Sequence, residues 1–108
     1  MSRPNLRLRR DLGKIRKEGS IFRGQYCHVR FRIASEQQLV ISVRKKYGGS
    51  VQRNLIRRQI RAICRELFGS LKTSEFLLLI SVGDHSYRVS YQELKKELSI
   101  AFQFLGLT

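Results

Sequence analysis

Cysteine is scarce in this 108-residue chain. Cys27 and Cys64 stand far apart, and neither has a second cysteine or a histidine at metal-ligand spacing. That excludes a zinc ribbon and a disulfide framework, and leaves two thiols expected to be reduced and buried. Long apolar runs are missing too. The longest, FLLLISV at residues 76–82, is far shorter than the roughly 20 residues that cross a bilayer. The basic N-terminus, MSRPNLRLRRDLGK, is not followed by the apolar stretch of a secretory signal, so a cytoplasmic protein with no membrane partner is expected. Acids number only eight and are scattered, with no D-x-D or D-x-x-E pair. A two-metal nuclease needs clustered carboxylates, so no catalytic residue and no metal site is expected in the protein itself. His28 falls on a predicted strand and His85 in a turn beside Asp84, where the two neighbours face water separately.

Against these absences stand 22 Lys plus Arg, giving a formal charge of +14. Such charge opposes compaction by self-repulsion and calls for a polyanionic partner, nucleic acid first. Hydrophobic residues make up 42% of the chain, too many for a disordered polycation. With no repeat, low-complexity tract or linker, residues 1–108 read as a single domain large enough for a core.

Residues 6–18, LRLRRDLGKIRKE, fit a short amphipathic helix carrying Leu8, Leu12 and Ile15 on one side, with Gly19 as its stop. Residues 25–34, QYCHVRFRIA, alternate: Cys27, Val29, Phe31 and Ile33 point one way, and His28, Arg30 and Arg32 the other. SEQQ turns the chain into a second strand, LVISVRK at 39–45, antiparallel to the first through that short connection. A helix is expected from about Val51 to Phe68, with Ser50 as N-cap and Gly69 as C-terminal stop. EFLLLISV is a third strand, apolar enough to be central. A last helix starts near Ser90, where Ser90 and Glu93 can form a capping box, and Leu94, Leu98, Ile100, Ala101 and Leu105 supply its apolar side. The order helix, strand, strand, helix, strand, helix predicts an α+β fold, a two-layer α/β sandwich with helices packed on one small sheet.

The stretch SVRKKYGGSVQRNLIRRQIR, residues 42–61, carries seven basic residues and no acid. Turned at about 100° per residue, its helix gathers Ile56, Ile60, Ile63, Cys64 and Leu67 into one stripe. Arg57, Arg58, Arg61 and Arg65 fall on an adjacent arc with Asn54 in its midst, and Glu66 falls outside it. Like charges at these spacings repel, and a purely structural helix would intersperse Glu. Arginine also binds phosphate through two parallel hydrogen bonds and stacks on bases. Upstream, Lys45 and Lys46 add charge, while Gly48 and Gly49 let a phosphate approach the positive helix N-terminus. A second basic group is Arg7, Arg9, Arg10, Lys14, Arg16 and Lys17; a third is Arg30 and Arg32 on the strand face, with Tyr26 and Tyr47 nearby, a combination suited to single-stranded nucleic acid. A ribosomal-type structural RNA-binding protein shares this charge and size. A DNA-binding regulator fits less well, because the basic helix opens after a strand and not after a helix-turn.

Residues 42–61 resemble the signature of the bacterial ribonuclease P protein component: a strand ending Ser-Val-x-Lys-Lys, a glycine-containing loop, then Val-x-Arg-Asn-Arg-x-Lys-Arg opening a helix. The resemblance reaches weakly upstream through RLRRDLGKIRKEG. It implies a left-handed strand-helix-strand crossover, although parallel crossovers are otherwise right-handed almost without exception. It implies the protein subunit of a ribonucleoprotein whose RNA carries out magnesium-dependent removal of the 5′ leader of precursor tRNA. Carried over by position, Lys45, Lys46, Arg53, Asn54, Arg57, Arg58, Arg61 and Arg65 would face that catalytic RNA. Leu12, Arg16, Arg9, Arg10, Arg30 and Phe31 would line the cleft for the single-stranded leader, the family's first-strand aromatic aligning with either Arg30 or Phe31. Leu12 stands where the family usually has Phe, and Leu55 replaces the second arginine of the motif.

Overall fold

The computed structural model describes residues 19–72, 75–84 and 89–107. The helix expected at 6–18 and the residues around His85 lie outside them. The elements are β1 (Ser20–Arg23), β2 (Cys27–Ile33), β3 (Gln38–Val43), a 3-10 turn (Lys45–Tyr47), α1 (Ser50–Phe68), β4 (Phe76–Val82) and α2 (Tyr91–Phe104). They form an α+β fold: a four-stranded mixed sheet in the order β1-β2-β4-β3, with both helices packed on one of its faces.

Strand order corrects one expectation. β2 and β3 do run in opposite directions, but the short link between them does not make a hairpin, because β4 lies in between. β4 pairs antiparallel with β2 from Cys27↔Val82 to Ile33↔Phe76, and parallel with β3 from Gln38↔Leu77 to Val43↔Val82. The cause is burial. Phe76, Leu78, Ile80 and Val82 face the helices, while Leu77 and Leu79 are buried on the opposite face with Ala34 and Val40. A strand apolar on both faces belongs in the middle of a sheet. A parallel neighbour then requires a crossover, and α1 is that crossover.

β1 has no counterpart among the expected strands. SIFR is four residues long, too short for alternation to register, and is set by its pairing from Ser20↔Phe31 to Arg23↔His28. The β1–β2 turn is fastened from a distance. The Glu97 carboxylate on α2 accepts the backbone N–H groups of Gln25 (2.7 Å), Tyr26 (3.0 Å) and Cys27 (2.8 Å). Gly24 is required beside it, since a Cβ there would lie 2.5 Å from the Glu97 carboxyl carbon.

The core joins Cys27 and Val29 of β2 to Ile56, Ile60, Ile63 and Cys64 of α1 and to Leu94, Leu98, Ala101 and Phe102 of α2. The α1 stripe is therefore the expected one, with Leu67 packed at its border. On α2, Phe102 takes the buried place expected for Ile100, which is exposed, and Ile33 at the end of β2 runs beyond the cover of the helices.

Helix ends differ from expectation in instructive ways. Ser90 does cap α2, its hydroxyl accepting the N–H of Glu93 at 3.2 Å, but the Glu93 carboxylate accepts the Tyr26 hydroxyl (2.7 Å). The N-cap of α1 is Gly49 and not Ser50, which is already helical. Gly69 stays right-handed at φ −64°, so α1 ends without a left-handed glycine. That geometry appears instead at Gly106, φ 76°, where the Leu107 N–H bonds the Phe102 carbonyl (2.9 Å) and Leu107 folds back into the core. No helix among the described residues is long and apolar enough to cross a membrane.

Candidate nucleic-acid interface

α1 divides cleanly by side. Ile60, Ile63 and Cys64 are fully buried, whereas Asn54, Arg58, Arg61 and Arg65 are exposed and Arg57 half-exposed. Arg57 donates to the Asn54 side-chain oxygen at 3.4 Å. Among the described residues no carboxylate pairs with any of these arginines. The acids are committed elsewhere. Glu97 fastens the β1–β2 turn, Glu93 holds Tyr26, Asp84 pairs with Arg44 at 2.6 Å, and Glu66 pairs with Lys95 at 2.7 Å. Lys95 holds the Glu66 carboxyl below its ordinary pKa, and Glu66 raises Lys95 in return. Among the described residues these four acids join elements of the fold, and none compensates the arginine arc.

The start of α1 is equally open. Gly49 offers no side-chain cap and the first turn holds no acid, so the first-turn amides point outward unsatisfied by side chains. Lys45 and Lys46 are exposed in the preceding turn. Arg53 lies apart from the other arginines, on the side of the helix nearer the core, and its Nε is buried with no partner. Uncapped amides, two lysines and an unpaired guanidinium nitrogen concentrate positive potential at the helix N-terminus.

On the sheet face away from the helices, register arranges the side chains in rows across the strands. One row is Arg23–His28–Ser81–Ser42; the next is Ile21–Arg30–Leu79–Val40, with Arg32 beside Leu77 beyond it. Arg30 and Phe31 therefore point to opposite faces. Phe31 packs on the helix side, its ring 6.1 Å from Phe76, and Arg30 is received by the opposite face, which the described residues leave open. Tyr47, expected beside the basic strand, is a core residue and cannot stack on a base. Tyr26 is half-buried, and its hydrogen bond to Glu93 raises its pKa. Leu12, Arg16, Arg9 and Arg10 lie outside the described residues. Arg23, Ser42 and Ser81 on the open face carry no signal in the sequence; only the pairing of β1 and β4 brings them beside His28.

Both cysteines are free and buried, and desolvation pushes each thiol up to about 12. Neither is a thiolate near neutrality, so neither offers a nucleophile or a metal ligand. Among the described residues no three His, Cys, Asp or Glu side chains gather where a metal ion could be held.

Comparison with known proteins converges on one family. The sequence matches the Ribonuclease P family over residues 2–106. It is 33% identical over 102 residues to the ribonuclease P protein component of Coprothermobacter proteolyticus, covering 88% of this chain and 86% of that one. It is 31% identical over 101 residues to that of Thermotoga sp. strain RQ2, covering 89% and 86%. The fold superposes on the RNase P protein from Thermotoga maritima with a TM-score of 0.75 at 29% identity, over 95% of this chain and 96% of the other. It superposes on the Staphylococcus aureus RNase P protein with a TM-score of 0.79 at 20% identity, over 91% of each.

Proposed function

This chain belongs to the ribonuclease P protein family, and we propose that the arginine face of α1 docks on the enzyme's catalytic RNA while the open sheet face receives the single-stranded 5′ leader of precursor tRNA. The chain is the protein subunit of an endoribonuclease complex acting in tRNA 5′-end maturation. In our reading hydrolysis is carried out by the RNA, and the protein contributes one cytoplasmic RNA-binding domain that holds the two RNA partners together. We assign the β3–α1–β4 crossover the left-handed sense common to the family.

The observation that carries this reading is the division of α1: isoleucines sealed against the sheet on one side, and on the other Arg57, Arg58, Arg61 and Arg65, without acidic partners among the described residues. Each guanidinium along the helix is able to bind a phosphate through two parallel hydrogen bonds. The uncapped N-terminus of α1, with Lys45, Lys46 and Arg53, supplies one further phosphate contact. Asn54 orients Arg57 through their hydrogen bond. On the sheet, Arg30 is the leader contact, and Phe31 supports it from the core side. Magnesium finds no ligand set in the described residues, because no three His, Cys, Asp or Glu side chains gather there; we assign the metal to the RNA.

The test is reconstitution. The protein mixed with ribonuclease P RNA and precursor tRNA at low magnesium is expected to enhance leader removal. No enhancement, together with tight binding to ribosomal RNA, would replace this function with that of a structural RNA-binding protein.

A further inference from the structure

Ser81 is out of keeping with its own strand. β4 is apolar on both faces from Phe76 to Ile80, yet its next residue, facing away from the helices, is a serine. On that face its cross-strand neighbours are His28 of β2 and Ser42 of β3. None of these three side chains has a hydrogen-bond partner among the described residues. Neighbouring strands lie about 4.8 Å apart, so the row sets polar groups at that interval across the sheet. It floors a concavity of about 330 Å³ completed by Arg44, Val82 and Gly83.

The charge of this concavity differs from that of α1. Arg44 is bound by Asp84 at 2.6 Å, which offsets its charge and fixes its position. What remains is two hydroxyls and an imidazole, groups that exchange hydrogen bonds with a neutral hydroxyl. Cations for flanking phosphates stand just outside: Arg23 at the end of the same row and Arg30 in the next.

We propose that the His28–Ser81–Ser42 row reads the ribose 2′-hydroxyl of single-stranded RNA laid across the sheet, and so selects RNA over DNA. The proposal rests on the assignment of the open sheet face to the leader and adds to it which chemical group is recognised. A serine hydroxyl both donates and accepts, as does the 2′-hydroxyl, the group by which a protein distinguishes RNA from DNA.

The experiment uses the full chain and a fluorescently labelled single strand made once as RNA and once as DNA of the same base sequence, with anisotropy read across a salt series. The wild type is expected to prefer RNA. The double variant Ser42→Ala, Ser81→Ala is expected to lose roughly 3–10-fold in RNA affinity for each hydrogen bond removed, with DNA affinity and salt slope unchanged. Equal wild-type affinity for the two strands, or equal loss on both in the variant, overturns the proposal. Melting temperature verifies that the variant folds, and Ser42→Ala alone, on the exposed edge strand, answers the same question if it does not. Arg57→Ala, Arg61→Ala measured on the catalytic RNA keeps the two readings apart. If that variant loses affinity while the serine variant retains its RNA preference, ribose reading fails and the subunit assignment stands.

Discussion

Arg57 and Ile60 sit three positions apart on α1 and answer to opposite demands. Replacing Arg57 and Arg61 with alanine is expected to weaken binding to the catalytic RNA without lowering the melting temperature. The slope of log affinity against log salt should flatten by roughly one unit for each phosphate no longer neutralised. Ile60→Ala should do the reverse, costing about 2–5 kcal/mol in urea denaturation, because its side chain is fully enclosed. Leu55 tests the same geometry from another side. It is 48% exposed, one turn after Val51, which is also exposed, and it stands where the family motif has arginine. Leu55→Arg is expected to steepen the salt slope by roughly one unit if that position faces a phosphate; an unchanged slope would place it off the RNA. Cys27 and Cys64 provide a check on the core. With thiols pushed up to about 12 by burial, iodoacetamide should label neither at neutral pH in the folded protein and both in guanidinium.

At the scale of elements, the β1–β2 turn depends on a side chain some seventy residues away in sequence, the Glu97 carboxylate that accepts its three consecutive amides. Glu97→Ala leaves these donors without an acceptor and is expected to cost on the order of 2 kcal/mol in urea denaturation, with hydrogen exchange accelerated first at residues 24–27. Nothing in the sequence marks this interaction, since a glutamate on an amphipathic helix ordinarily faces water. The elements that are legible are those whose pattern is long: the stripe of α1, the alternation of β2, the unbroken apolarity of β4 and the serine before α2. β1 is too brief to show a period. The neighbours of β4 are not readable because strand order follows from the competition for burial among all four strands, which no local window contains. The cap of α1 misleads for a related reason. Serine is a good cap, but the two preceding glycines let the chain enter the helix one residue earlier, and Ser50 becomes its first residue. The arginine arc, by contrast, follows from the helical period alone, and no acid among the described residues closes on it.

For the whole molecule, 22 basic and eight acidic residues mean that folding proceeds against electrostatic repulsion. RNA relieves that repulsion, so added ribonuclease P RNA is expected to raise the melting temperature, and rising salt to diminish the gain as it weakens binding. A melting temperature indifferent to the RNA would contradict the docking surface assigned to α1. One architectural feature extends to the protein's synthesis. β2 and β3 meet only through β4, which leaves the ribosome after both. A chain ending at residue 75 retains the arginines of α1 but has no strand to bridge its sheet, and circular dichroism should find it unfolded. On that outcome the growing polypeptide would present no ordered arginine helix to RNA until residues 76–82 emerge, and translation itself would set the earliest moment of assembly.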